Sequence, residues 1–287
     1  MAGVPLQSLV NGQQADHISI HDRGFQYGDG CFETIRVLAN NPILWQQHLS
    51  RLKRACRILS LEVDFDLLNK ELSQLLEINQ SPDVILKIII TRGEGGRGYA
   101  PDSISSCTHV LQLSDYQVPD VRKAAKVILC QHGLSANTML AGIKHLNRLD
   151  QVLASKEVPD DFDEGLCLDQ QGNIVEGCKS NLMLCIDDEF ITPDLSSCGV
   201  EGVMLKQLIK SYAVKGYTVA RKKINLKQLQ MADELFLCNS VFGVWPIAEI
   251  YNADFELYWK SDSVEGQYTC AAINLSLIHI SEPTRPY

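Results

Sequence analysis

The chain has 287 residues, of which 45% are hydrophobic, and this is enough to bury a large core in one large domain or two ordinary ones. Its formal net charge of -9 argues against a nucleic-acid partner, because phosphate binding requires clustered lysine and arginine. We expect no membrane span and no signal peptide, since no apolar run approaches the ~20 residues of a spanning helix and no basic region precedes an apolar stretch at the N-terminus.

Ten cysteines are scattered along the chain without a Cys-x-x-Cys pair or a histidine-rich segment. This spacing predicts neither a metal site nor a disulfide framework, so we expect most of the cysteines to be small buried hydrophobic residues. The expected location is the cytoplasm.

The first half of the chain alternates strand and helix patterns. The Asn11-Gly12 pair favours a type I′ turn in a hairpin over Leu9–Ile20. The glycine-rich segment Arg23–Gly30 is predicted to be a loop, either a tight turn or an active-site wall to which Tyr27 and Glu33 contribute polar groups. The other predicted elements are a strand at Cys31–Val37, helices at His48–Leu59 and Phe65–Ile78, and strands at Val84–Thr91 and Val110–Leu113.

A second glycine-rich segment, Arg92–Tyr99, follows the apolar strand Val84–Thr91. It could cradle a nucleotide phosphate, but it lacks the Gly-Lys-Ser/Thr ending of a P-loop and no helix clearly follows it. It could also be a surface loop whose glycines only permit positive φ. The interpretation we favour, which a family resemblance of the chain implies, is a flexible loop that presents Arg97 and Tyr99 to a carboxylate.

The second half of the chain is predicted to be another α/β unit. Lys144 is expected where an extended segment turns into a helix. The other elements are a strand at Ala125–Cys130, hairpins over 164–176 and 181–192, and a helix at Gly202–Val214 that ends near Gly216. The predicted division is a domain at 1–114, a linker at 115–122 and a domain at 123–275. Residues 276–287 look like a non-native tail, so His279 carries no functional weight.

Seven segments, in one order along the chain, resemble the fold type IV enzymes that use pyridoxal 5'-phosphate (PLP). They are Asp22–Thr34, His48–Leu52, Arg92–Tyr99, Ala141–Gln151, Val175–Leu182, Gly199–Met204 and Cys238–Ser240. The resemblance implies an α/β (α+β) fold of two domains, like that of the D-amino acid and branched-chain aminotransferases, with PLP bound between them and Lys144 on the second. It also implies a homodimer.

The same resemblance implies a cofactor site. Lys144 would form the Schiff base with PLP, Arg51 would contact the phosphate, and Glu176 would accept a hydrogen bond from the protonated ring nitrogen. The backbone N–H groups of Val203 and Met204, at a helix start, would complete the phosphate site. The remaining cofactor-binding candidates are Ser180, Asn181, Asn239 and Ser240, and the substrate-binding candidates are Tyr27, Arg97 and Asn239.

Within fold type IV, the segments at Gly28–Phe32, Arg92–Arg97 and Gly142–Leu149 resemble the aminodeoxychorismate lyases most. That implies conversion of 4-amino-4-deoxychorismate to 4-aminobenzoate and pyruvate, a step toward folate, with Lys144 as base or acid. Two alternatives stay open. One is a D-amino acid or branched-chain aminotransferase, and the other is a noncatalytic or nucleotide-binding protein that keeps the fold.

Overall fold

The structure is a computed structural model that describes residues 5–101, 106–116 and 123–261. The described residues form two compact units, the first made of residues 5–116 with Ile143–Asn147, and the second of residues 123–142 and 148–261. Most of the expected linker, at 117–122, and the whole of the expected tail at 276–287 lie outside the described residues. The domain boundaries therefore remain a prediction.

The first unit contains six strands and three helices. They are β1 (Pro5–Val10), β2 (Gln13–Gln14), α1 (Arg23–Tyr27), β3 (Gly30–Leu38), β4 (Asn41–Pro42), α2 (Trp45–Leu59), α3 (Phe65–Ile78), β5 (Asp83–Thr91) and β6 (Thr108–Asp115). The strands form one antiparallel sheet in the order β2-β1-β6-β5-β3-β4. The strand predicted at Val84–Thr91 is thus central, as its β-branched composition suggested.

The predicted hairpin turn is present. Asn11 has φ 49° and Gly12 has φ 75°, the two positive values that a type I′ turn requires. Beyond the turn, however, β2 is only two residues long and pairs Gln14 with Leu9. Residues 15–20 are not a strand, so the hairpin is shorter than predicted.

The segment predicted to be a loop at Arg23–Gly30 contains a helical turn instead. The buried Asp22 caps α1, since its carboxylate accepts a hydrogen bond from Gly24 N at 2.7 Å. Gly28 ends the helix with φ 66°, a left-handed conformation that glycine adopts without strain. The cap gives the Gly24 N–H a hydrogen-bond partner. The glycines of this segment give no helical pattern in the sequence, so the helical turn was not predicted.

The second unit contains nine strands and three helices. They are β7 (Ala125–Leu134), α4 (Leu149–Lys156), β8 (Glu164–Asp169), β9 (Ile174–Gly177), β10 (Asn181–Ile186), β11 (Glu189–Pro193), α5 (Val203–Val214), β12 (Val219–Lys222), α6 (Leu226–Gln230), β13 (Glu234–Asn239), β14 (Gly243–Tyr251) and β15 (Leu257–Lys260). They form a mixed sheet in the order β12-β11-β10-β13-β14-β7-β8-β9, with β15 paired to β14. Leucine, isoleucine and valine side chains from its strands pack into one buried cluster with α6.

Both hairpins predicted in this unit are confirmed, as is the helix that begins after Gly202 and is followed by Gly216 at φ 86°. Among the described residues, no helix combines the length and the apolar composition that crossing a membrane requires.

The predicted start of a helix at Lys144 is wrong. Helix α4 begins only at Leu149, and residues 141–148 before it form no helix. The backbone of this segment pairs with β3 instead, because Lys144 O accepts a hydrogen bond from Phe32 N and Leu146 N donates one to Gly30 O, both at 2.9 Å. Those long-range bonds replace the helical ones that a local pattern would favour.

Candidate active site

The resemblance implies that Lys144 lies on the second domain, but in the structure Lys144 belongs to the first unit, because its segment bonds to β3. Its side chain is half-buried there. Its Nζ lies 4.5 Å from the centroid of the Phe32 ring, a cation–π distance. The backbone bond from Phe32 N to Lys144 O holds the lysine beside β3. The main chain of Lys144 is therefore anchored to β3. This backbone bond, and not a helix, sets the position of the Lys144 amine.

Three buried ionisable side chains form a network in the same unit. Glu33 on β3 accepts hydrogen bonds from Arg51 Nε at 2.7 Å and Arg51 Nη2 at 2.5 Å, and His48 Nδ1 lies 2.6 Å from the same carboxylate. All three side chains are at most 8% exposed. Helix α2 brings His48 and Arg51 to one face because residues three apart are neighbours on a helix.

The network determines the charge of its members. Burial by itself would raise the pKa of Glu33, but the charge and hydrogen bonds of Arg51, followed by those of His48, outweigh it and lower the pKa to about 2. Burial lowers the pKa of His48, Glu33 opposes that effect, and the charges of Arg51 and Lys144 add to it. At neutral pH the carboxylate is ionised, so His48 donates from Nδ1 and its Nε2 is an acceptor. That Nε2 is buried and has no hydrogen-bond partner among the described residues.

Arg23 and Asp29 organise the glycine-rich loop and were not singled out from the sequence. The buried guanidinium of Arg23 donates to Gly98 O at 3.0 Å, to Tyr99 O at 2.8 Å and to the Asp29 carboxylate at 3.0 Å. Asp29 also accepts from Arg92 at 2.7 Å. Burial would raise the pKa of Asp29, but these two arginines lower it. The sequence signal for Asp29 is an acidic residue between two glycines in a segment that also contains arginine. It could have indicated an ion pair that holds the loop.

Of the predicted substrate contacts in this unit, Tyr27 is half-buried and packs edge-on against Tyr99, with ring centroids 5.6 Å apart. Arg23 lies over the Tyr27 ring at 4.9 Å. Arg97 is exposed at the tip of the loop that Arg23 holds. Arg97 is thus on an anchored loop, with its side chain directed to solvent.

In the second unit, the Glu176 side chain is buried at the end of β9. Its Oε2 accepts a hydrogen bond from Val200 N at 2.8 Å, and Gln151 Nε2 lies 3.4 Å from Oε1. Gly199, at φ 81°, allows the backbone before Val200 to approach the Glu176 carboxylate. A Cβ on Gly199 would lie 3.2 Å from Glu176 Oε2. The carboxylate is therefore held in one orientation.

Val203 and Met204 are the first two residues of α5, and both are buried. The N-cap residue Gly202 makes no side-chain hydrogen bond to the first N–H groups of the helix. Asn181 holds the preceding turn through a hydrogen bond from Nδ2 to Val200 O at 2.8 Å. A Cβ on Gly202 would fall 1.9 Å from Asn181 Oδ1, so any other residue here would force Asn181 or the helix start to shift.

The other candidates have local partners. Ser180 Oγ donates to Glu164 Oε2 at 3.0 Å. Asn239, at the end of β13, accepts from Val241 N and Phe242 N, both at 2.9 Å, and donates to Lys179 O at 3.1 Å. Asn239 thus shapes the turn that carries Ser240, which is half-buried.

Comparison with known proteins gives the family. Residues 30–250 match the family described as amino-transferase class IV. The chain belongs to this family. The matched range includes Lys144, Glu176, Arg51 and the start of α5.

Among class IV relatives, the chain is 34% identical over 251 residues to an aminodeoxychorismate lyase of Vibrio harveyi, covering 84% of this chain and 90% of the relative. It is 27% identical over 257 residues to a putative branched-chain-amino-acid aminotransferase of Methanocaldococcus jannaschii, covering 85% and 88%. Its structure is similar to the crystal structure of 4-amino-4-deoxychorismate lyase from Pseudomonas aeruginosa, with a TM-score of 0.83 and 38% identity over 93% of this chain and 97% of that one. The expected fold and the resemblance to aminodeoxychorismate lyases are confirmed.

Proposed function

We propose that the chain is a PLP-dependent lyase that converts 4-amino-4-deoxychorismate to 4-aminobenzoate and pyruvate. The observation that carries the proposal is the 38% identity, over 93% of this chain, to a solved 4-amino-4-deoxychorismate lyase. The aminotransferase of Methanocaldococcus jannaschii reaches 27% over a similar length. Identity is thus higher to this lyase, and to the Vibrio harveyi lyase at 34%, than to that putative aminotransferase.

The residues present fit PLP. The cofactor needs an amine, an anion site and an acid for its ring nitrogen, and it supplies an electron sink for the carbon that bears the substrate nitrogen. Lys144 supplies a half-buried amine. The uncapped start of α5 suits a phosphate, and the buried Glu176 carboxylate suits a protonated ring nitrogen. The unpartnered His48 Nε2 is consistent with a site that a bound group completes.

The proposed roles follow from these placements. Lys144 would hold the cofactor through Nζ, and its amine would take up the proton from the carbon that bears the substrate nitrogen. Glu176 keeps its charge aimed at the ring nitrogen because Val200 N fixes one oxygen. Glu33 orients the guanidinium of Arg51, which we propose contacts the phosphate together with the N–H groups of Val203 and Met204.

The substrate has two carboxylates that need cationic or amide partners. We propose Arg97 for one of them, since it lies on the loop that Arg23 anchors. Tyr27 and Asn239 are proposed as further contacts. The side-chain oxygen of Asn239 already accepts two backbone hydrogen bonds in the turn after β13. We also propose a homodimer, by analogy with the family.

The experiment that tests the reaction is an assay of the purified protein for 4-aminobenzoate formation from aminodeoxychorismate. In parallel, pyruvate or 2-oxoglutarate is offered with an amino donor. We expect 4-aminobenzoate formation to be faster than transamination, and faster transamination would instead identify an aminotransferase. A chain with neither activity and no borohydride-sensitive visible band would support the noncatalytic alternative.

The lysine assignment has a matched control. Lys87 Nζ also lies over the Phe32 ring, 5.6 Å from its centroid, but on the neighbouring strand β5. We expect Lys144→Ala to abolish the borohydride-sensitive band and Lys87→Ala to keep it. A Lys144→Ala protein that retains the band would overturn the assignment.

A further inference from the structure

Three cysteines from three neighbouring strands meet in the second unit. Cys130 lies on β7, Cys167 on β8, and Cys178 directly follows β9. Their Sγ atoms all lie within 4.8 Å of one another, and the Cys167 and Cys178 sulfurs are 3.7 Å apart. We propose that these three thiols form a binding site for one thiophilic cation such as Zn²⁺.

The spacing of the sulfurs suits a metal ion. A Zn–S bond of about 2.3 Å places two thiolates of one tetrahedral site about 3.8 Å apart. The 3.7 Å separation of Cys167 and Cys178 matches that value, and the limit of 4.8 Å on the third sulfur requires only a small inward movement. Thiolates are the ligands that select zinc and copper(I) over the hard cations.

A disulfide between Cys167 and Cys178 is a competing use of two of these sulfurs, and the strand pairing argues against that pair. Cys167 lies opposite Glu176, and Cys178 N bonds to Gly165 O, so Cys167 and Cys178 are diagonal neighbours. The Cα atoms of diagonal neighbours are about 7–8 Å apart. A disulfide spans at most roughly 7 Å between Cα atoms without backbone movement. The side chains converge although their backbones are too far apart to be bridged.

Gly165 gives the sulfurs their room. A Cβ at this position would lie 2.6 Å from Cys130 Sγ and 3.0 Å from Cys178 Sγ. Any side chain here would therefore force two of the three sulfurs away from their common centre. The glycine leaves a small space that the sulfurs border.

The path to the site runs past Cys178, which is partly exposed, whereas Cys130 and Cys167 are buried. Binding requires no redox partner: three thiols lose their protons to solvent, three metal–sulfur bonds form, and water takes the fourth position. Three protein ligands with an open fourth position give weaker retention than a closed four-cysteine site, so the metal is expected to exchange. The proposal does not depend on the proposed lyase reaction.

The first test measures Zn²⁺ uptake by the reduced full-length protein in competition with a chromophoric chelator. We expect one equivalent per chain, with affinity about 100-fold lower in Cys167→Ser. Cys185→Ser is the matched control, because Cys185 is also a buried free thiol of the second unit but lies outside the cluster. Its affinity is expected to stay within about twofold of the unsubstituted chain. The proposal would be overturned if the unsubstituted chain took up no Zn²⁺, or if Cys167→Ser bound Zn²⁺ as tightly as the unsubstituted chain.

The second test needs no substitution and so cannot fail through misfolding. Iodoacetamide alkylation is followed at individual cysteines by peptide mass spectrometry, with and without Zn²⁺. We expect Zn²⁺ to slow alkylation of Cys178 at least about tenfold and to leave Cys107 unchanged. Cys107 is the control because it is also partly exposed but belongs to the first unit. Equal slowing at both cysteines, or none at Cys178, would count against the site.

Discussion

The carboxylate of Glu33 holds the guanidinium of Arg51 by two nitrogens, Nε at 2.7 Å and Nη2 at 2.5 Å, inside a part of the first unit where both side chains are buried. A bidentate pair of this kind sets the plane of the guanidinium as well as its position. Glu33 thereby determines which way the arginine proposed for the cofactor phosphate can reach.

Replacing Glu33 with glutamine should weaken both the fold and cofactor binding. The buried arginine loses its counter-charge, which typically costs about 3 kcal/mol of unfolding free energy, and the guanidinium loses its fixed orientation. We expect PLP affinity to fall about tenfold. The measurements are urea denaturation and PLP titration. Glu71→Gln is the control, because Glu71 makes a similar pair with His109, and it should lower stability without changing PLP affinity.

The same network predicts how stability depends on pH. The pKa of Glu33 is about 2 in the folded chain and ordinarily 4.5, so its contribution is complete above pH 4.5 and is lost as the pH falls toward 2. The expected loss is about 3 kcal/mol. The pKa of His48 is also lowered from 6.5, so the unfolded chain takes up a proton first and stability begins to decline below pH 6.5. Urea denaturation from about pH 7 to pH 2 should show that the free energy of unfolding falls more steeply in the unsubstituted chain than in Glu33→Gln. Parallel curves for the two proteins would contradict the assignment.

Replacing Arg23 with lysine should affect the substrate more than the chemistry. A single ammonium cannot reach Gly98 O, Tyr99 O and the Asp29 carboxylate together, so the loop that carries Arg97 loses its anchor. We expect KM for aminodeoxychorismate to rise about tenfold while kcat changes about twofold. Steady-state kinetics measure both.

The control for Arg23→Lys is Arg36→Lys. Arg36 on β3 donates to Asp83 on β5 through Nε and Nη2. These hydrogen bonds do not involve the glycine-rich loop. Its KM should remain that of the unsubstituted enzyme. Equal KM changes in the two variants would mean that the loop anchor is not specific.

Replacing Gly202 with alanine should weaken the proposed phosphate site. The added Cβ would fall 1.9 Å from Asn181 Oδ1, so Asn181 or the first turn of α5 must move. We expect PLP affinity to drop about tenfold, as measured by titration of the visible absorption band. Gly133→Ala is the control, since a Cβ there meets its first neighbour at 3.4 Å, an ordinary contact. Unchanged PLP affinity in Gly202→Ala would indicate that the phosphate binds elsewhere.

Regular local patterns were predictable from the sequence. The sequence predicted a helix at Phe65–Ile78, and the structure has α3 with those bounds. The β-branched run Val84–Thr91 predicted a central strand, and β5 is central in its sheet. In each case the residues that decide the element lie within a few positions of one another, so local periodicity is sufficient.

The candidate site was partly predictable. The positions of Lys144, Glu176 and Arg51 were taken from a resemblance of ordered segments, and the class IV family spans the same residues. The environment of these side chains was not predictable. Nothing near Arg51 in the chain indicates that Glu33, eighteen residues away, would be its partner, because cross-strand and helix contacts are decided by the packing of distant segments.

The sequence by itself determined the alternation of strands and helices and the order of chemically informative residues, since both are encoded over short distances. Only the tertiary structure decided that the lysine segment pairs with β3 rather than forming a helix, that Asp22 caps a helical turn in a glycine-rich segment, and that Cys130, Cys167 and Cys178 meet without any Cys-x-x-Cys spacing. The physical reason is common to all three. Backbone groups and side chains must be satisfied by partners that are distant in sequence, and the free energy of those contacts exceeds the local preference.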